Sequence, residues 1–170
     1  MEHDVTLPNG SPGRYHVVEI PKSVGIVARN GRDEIAMIFT WRFPTHTRSL
    51  EIPSGRVEPD ESLLAAAKRE LAEEAGLKAS HWTQSIQIDA SNGLTTDQTT
   101  IFFAEGCEAL TGDDARQFAV DEYIDERRWL PLDDAIEMAS SGVITQGITL
   151  VGIFLASQRW GSSATNAPPR

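Results

Sequence analysis

Near the end of the run from Gly55 to Leu77, a segment that reads as helix carries Glu70, Glu73 and Glu74, and this constrains the chain more than any other feature. The order is Gly55, Glu61, Arg69-Glu70-Leu71, Glu73-Glu74 and Gly76-Leu77. At about 100° per residue, Leu63, Leu64, Ala67, Leu71 and Ala75 share an apolar stripe suited to a core. The three glutamates occupy the adjoining arc at i, i+3 and i+4, the spacing that makes neighbours on a helix surface. The helix is predicted from about Ser62 to Ala75, with Gly76 as its left-handed stop. Arg69 sits one turn before Glu73, placed to pair with it and fix its orientation.

Carboxylates crowded on one stripe repel one another by roughly a few tenths of a kcal/mol per i,i+4 pair. A cation between them turns that repulsion into a ligand set, and all-oxygen coordination suits Mg²⁺ or Mn²⁺ rather than zinc. Such an ion can polarise a diphosphate and help deprotonate an attacking water. A lone Glu-Glu pair on an amphipathic helix is ordinary solvated surface. The whole pattern is different, because at ~7% usage per residue type its chance assembly is on the order of 10⁻⁷.

Charge points the same way. The 170 residues carry 15 Lys+Arg against 25 Asp+Glu, a net charge of −10. That surface repels phosphate backbones, which argues against nucleic-acid binding, and a phosphorylated ligand needs local arginines or bridging cations. The single cysteine, Cys107, excludes an intrachain disulfide and a cysteine-rich zinc site and fits a reducing, cytoplasmic setting. Met1-Glu2-His3-Asp4 opens acidic with no apolar run after it, and Val143 to Ala156 is broken by Thr145, Gln146 and Thr149. Neither a signal peptide nor a membrane span is expected.

Around the helix the chain reads as short strands. Expected strands cover Tyr15 to Ile20, Ser23 to Ala28, Glu34 to Trp41, Leu50 to Ile52, Ser85 to Asp89, Thr99 to Ala104 and Arg127 to Leu130, with a hairpin signal at Asn30-Gly31. Further helices are expected from Leu132-Asp133-Asp134 and from about Ile144 to Arg159. Many strands with few helices predict an α+β sandwich, a mixed sheet with helices packed on it. Residues 1–22 read as an N-terminal β arm, 23–160 as the main domain, and 161–170, small, polar and Pro-rich, as a disordered tail.

The residues Gly55, Glu61, Arg69, Glu70, Leu71, Glu73, Glu74, Gly76 and Leu77 match the Nudix box at every defining position. The chain therefore resembles the Nudix hydrolases. The resemblance implies an α/β/α sandwich and Mg²⁺-dependent hydrolysis of a nucleoside diphosphate linked to another moiety. It implies Glu70 and Glu74 as principal metal ligands, Glu73 as a further ligand or a water-positioning group, and a backbone oxygen from Ser54. Arg69 becomes the orienting partner, and Gly55 and Gly76 the residues that turn the loop.

Outside the box, Val5-Thr6-Leu7-Pro8-Asn9-Gly10, Trp41-Arg42-Phe43 and Leu50-Glu51-Ile52-Pro53-Ser54-Gly55 are similar to the ADP-ribose pyrophosphatase branch. This similarity implies a homodimer built with the N-terminal strands, Arg42 on substrate phosphate, and Glu51 at the site mouth. Phe43 and Trp41 are the aromatic candidates for stacking a base. Relatives that cleave ADP-ribose commonly carry a Ser-Pro-Gly turn where this chain reads Ser91-Asn92-Gly93, with Asp97 after it. That departure leaves open a different nucleotide sugar, a nucleoside triphosphate or a dinucleotide. Glu122, with Asp121 next, is the candidate base on a later loop, able to approach the attacking water when substrate closes it. A ligand-binding module without turnover is the alternative from another class, and retention of all three box glutamates argues against it.

Overall fold

The computed structural model describes residues 1–112 and 124–161. The N-terminal arm is a two-stranded antiparallel hairpin, β1 (Glu2–Thr6) and β2 (Pro12–His16). Its turn is closed by the Leu7 and Gly10 amides, which donate to the carbonyls of Ser11 and Leu7. The strand expected over Tyr15 to Ile20 ends at His16. Beyond it the backbone turns to the 91–96 loop, where the Val18 amide donates to Leu94 and the Thr96 amide to Val18.

Among the described residues the main sheet has seven strands: β3 (Ser23–Arg29), β4 (Glu34–Arg42), β5 (Thr47–Glu51), β6 (Ser54–Arg56), β7 (Leu77–Asp89), β8 (Gln98–Ala109) and β9 (Ile124–Pro131). The path runs β5-β4-β3-β8-β7, with β6 paired to β3 and β9 to β4. β3 and β8 are parallel, in register from Ser23↔Thr99 to Arg29↔Glu105, and the other pairs are antiparallel, so the sheet is mixed. Asn30-Gly31 does mark the β3–β4 connection. The left-handed residue there is Asp33, however, and the Asn30 side chain accepts from the Arg32 and Glu34 amides.

Among the described residues three helices flank the sheet: α1 (Leu63–Ala75), α2 (Leu132–Ser140) and α3 (Gly147–Trp160). Ala66, Ala67 and Leu71 of α1 pack on Val24, Ile26, Ala28, Ala36, Phe102 and Ala104. On the opposite face Leu132 and Ala135 of α2 and Ile153 and Ala156 of α3 pack on Val27, Ile35, Met37 and Ile101. Alternate residues of β3 therefore feed two cores, as pleating requires, and the result is an α/β/α sandwich. Among the described residues no helix is long and apolar enough to cross a membrane.

Helix α1 begins at Ser62, whose hydroxyl accepts from the Ala65 amide, and ends at Gly76 with φ 67°, a conformation that glycine adopts without steric cost. Its buried side differs from the expected stripe. Leu64 is exposed, whereas Ala66, Glu70, Ala72 and Glu74 join Ala67 and Leu71 inside. The helix is turned so that two carboxylates lie under the 54–56 segment, and apolar periodicity alone cannot anticipate a polar group that finds its partner inside.

Candidate active site

The carboxylate helix, strand β6 and the end of β4 enclose a cleft of about 570 Å³, lined by Trp41, Arg42, Ser54, Gly55, Glu58 and Arg69 together with Glu70 and Glu74. Thr40, Arg56 and Ile124 complete the wall. The short strand β6, not anticipated from sequence, pairs Val24↔Gly55 and Gly25↔Ser54 and lays the box glycine against the helix. A Cβ at Gly55 would lie 2.0 Å from Glu70 Oε1. Only glycine lets that carboxylate rest there.

Glu70 and Glu74, 4% and 5% exposed, sit one turn apart at the cleft edge. The Ser54 amide donates to Glu74 Oε2 at 2.6 Å, so the contact recorded for Ser54 on the box helix is made by its N–H. Arg69 holds the rest together. Its Nη1 donates to Glu70 (2.8 Å) and Glu73 (2.9 Å), its Nη2 and Nε to Glu61, and Nη2 also to the Arg56 carbonyl at 2.8 Å. This guanidinium holds the Glu61 carboxyl below the usual carboxylate range, and its own pKa rises through the same contacts, Glu61 foremost. Glu73 turns to Arg69 and is not part of the cleft lining.

Arg42 enters from the other side, donating Nε and Nη2 to Glu51 at 2.9 and 2.5 Å. Glu51 is fully buried, so it lies beneath Arg42 rather than at the site mouth. β5 pairs Glu51 with the fully buried Ile38, and the paired arginine makes burial of that carboxylate tolerable. Phe43 opens the turn Phe43–Thr45 and is 73% exposed, packed 5.3 Å from the His46 ring, while Trp41 lies 6.4 Å from that ring.

Asn92 and Asp97 line a separate hollow of about 490 Å³ with Ile20 and Lys22, which shares no residue with the carboxylate cleft. Asp121 and Glu122, like the tail expected from 161 onward apart from Gly161 itself, lie outside the described residues. Sequence reading missed Arg56, Glu58 and Ile124 as cleft wall and Arg127 behind the helix. Loop and strand residues of this kind carry no spacing signal.

Carboxylate and backbone oxygens with no cysteine or histidine are the donor chemistry of a hard divalent cation. Among the described residues no three acidic, His or Cys side chains are grouped so as to hold a metal ion. The arrangement that fits a cation is therefore the buried Glu70–Glu74 pair on the cleft, with Glu73 held aside by Arg69.

A model of the NUDIX domain matches residues 19–146. The chain belongs to the Nudix hydrolase family. Two of the relatives it resembles are ADP-ribose pyrophosphatases. It is 29% identical over 150 residues to the ADP-ribose pyrophosphatase of Bacillus subtilis, covering 88% of this chain and 80% of that protein. It is also 29% identical over 151 residues to the CMP-5'-(N-acetyl-N-hydroxy-3-aminopropyl)phosphonate hydrolase of Streptomyces rubellomurinus, covering 89% and 71%. A solved structure described as an ADP compounds hydrolase shares the fold, with TM-score 0.76, 23% identity and coverage of 92% of this chain and 82% of that one.

Proposed function

We propose that the protein hydrolyses the diphosphate linkage of a nucleoside diphosphate derivative, ADP-ribose or a related nucleotide sugar, to a nucleoside monophosphate and a sugar phosphate. One observation carries this reading: Arg42 and the buried pair Glu70 and Glu74 face the same cleft. Cationic and metal-ligating groups on one cavity are what a diphosphate needs on a protein of net charge −10. The kinship with an ADP-ribose pyrophosphatase favours the substrate class.

In this reading Glu70 and Glu74 hold Mg²⁺ or Mn²⁺, with Glu73 as a further ligand or water-positioning group once it leaves Arg69. When bound, the ion supplies Lewis-acid neutralisation of phosphate oxygens. Arg42, braced by Glu51, binds a phosphate and absorbs charge that develops on its oxygens. Arg69 fixes Glu70 and Glu73. Trp41 and Phe43 offer a ring face to the base. Water oxygen bonds to one phosphorus as the bridging P–O bond breaks, and Glu122, Asp121 or a box glutamate accepts the water proton. The bridging oxygen leaves on the other phosphate, giving two phosphomonoester ends.

A nucleoside triphosphate or dinucleotide is the second substrate class, favoured by Asn92 in place of the proline of the ADP-ribose turn. We place the enzyme in the cytoplasm as a homodimer through its N-terminal hairpin. Tyr15, Val18 and Leu94, near where that arm meets the body, are all exposed large side chains. The deciding experiment incubates nucleotide sugars, nucleoside triphosphates and dinucleotides with enzyme and Mg²⁺ and resolves products by chromatography. AMP plus ribose 5-phosphate from ADP-ribose, absent with Glu70→Gln, is the expected result; unimpaired cleavage by that variant refutes the metal assignment. Glu122→Gln should lower turnover with metal affinity unchanged, and undiminished turnover moves the base elsewhere.

A further inference from the structure

The C-terminal end of α1 is satisfied in an unusual way. Gly76 donates back to the Ala72 and Leu71 carbonyls and closes the helix. The Glu73 and Glu74 carbonyls that follow have no later helical amide to accept from, and the last turn of α1 contains no basic residue. Arg127 of β9 reaches across to them, donating Nε to Glu74 O and Nη2 to Glu73 O, the latter at 3.2 Å. The register explains how. Arg127 pairs with Ile38 and Trp129 with Ala36, and Trp129 and Ala36 belong to the core face that packs on α1. Arg127, two residues before Trp129, shares that face.

Glu74 is therefore gripped at both ends. Its backbone carbonyl accepts from Arg127 on β9, and its carboxylate accepts from the Ser54 amide on β6. A fork-shaped cation at a helix C-terminus also complements the helix dipole, as a single-point donor does less well. We infer that Arg127 is a positioning residue for the Glu70–Glu74 pair, a clamp from the central sheet that sets where Glu74 presents its carboxylate to a divalent cation. This rests on the reading above that Glu70 and Glu74 hold that cation.

The test is direct Mn²⁺ binding without substrate, followed by loss of the free-ion EPR signal, on wild type, Arg127→Met, Arg127→Lys and Arg128→Met, with thermal melts of each. Arg127→Met should bind Mn²⁺ on the order of tenfold more weakly, as supporting partners of metal ligands generally do when removed. Arg127→Lys should fall between, and Arg128→Met should match wild type. If Arg127→Met does not fold, Arg127→Lys decides, and wild-type affinity in that variant counts against the clamp. A lowered melting temperature with unchanged Mn²⁺ affinity makes Arg127 a helix cap only and overturns the inference. Wild type that binds no Mn²⁺ overturns the metal reading and the clamp together, whereas wild type that binds it and Arg127→Met that binds it equally overturns the clamp alone.

Discussion

Arg42 reaches along the β4–β5 pair to Glu51 and shares two hydrogen bonds with it, with the carboxylate wholly buried and the guanidinium half open to the cleft. The two bonds from Nε and Nη2 fix the arginine's plane. Arg42→Met leaves Glu51 buried opposite an apolar chain. Stability should fall by about 2–3 kcal/mol, the low end for a broken buried pair because the guanidinium is partly solvated. Urea titration measures this, and an unchanged midpoint would show that Glu51 has other support.

Gly55→Ala separates function from stability. Its methyl would meet the Glu70 carboxylate at 2.0–2.4 Å. The end of a flexible side chain can give way, so the fold should lose only about 1–2 kcal/mol. Activity should collapse, because the displaced group is one of the two buried carboxylates on the cleft. Melting curves alongside product assays check both halves.

Glu61 provides a pH signature. Arg69 lowers its carboxyl below the ordinary value of 4.5, so the pair's stabilisation is complete above that value and is lost as pH falls through the lowered folded pKa. Glu61→Gln should therefore melt below wild type at neutral pH, with the gap narrowing on acidification below 4.5. A gap constant across that range would contradict the ion-pair assignment.

Cys107 should be inert. Burial pushes its thiol up to about 11, so almost no thiolate exists at neutral pH. Labelling by iodoacetamide should be slow at pH 7 and accelerate roughly tenfold per pH unit as alkalinity rises. Rapid labelling at neutral pH would show the β7–β8 pair opening around Ala79 and Cys107.

Removing residues 1–16 should leave the domain folded, since neither core cluster draws a residue from the hairpin. Light scattering should show twice the chain mass for wild type and a monomer for the truncation. A dimeric truncation would place the interface elsewhere.

The sequence alone determined the helix from about Ser62 to Ala75, its stop at Gly76, and the family that the box residues define, because those signals are local: an apolar periodicity, a glycine and a fixed spacing. It also announced the mixed sheet, although β7 extends from Leu77 to Asp89, far beyond the run Ser85 to Asp89. The residues Lys78, His81 and Gln84 do not alternate like a half-buried strand, and pairing with β8 overrides that pattern. Tertiary structure alone decided which face of α1 is buried, that Glu51 lies under Arg42, and that Arg127 closes the helix end. Each depends on a partner carried by another element, so the preference for burial or exposure is set by a contact that local sequence does not encode.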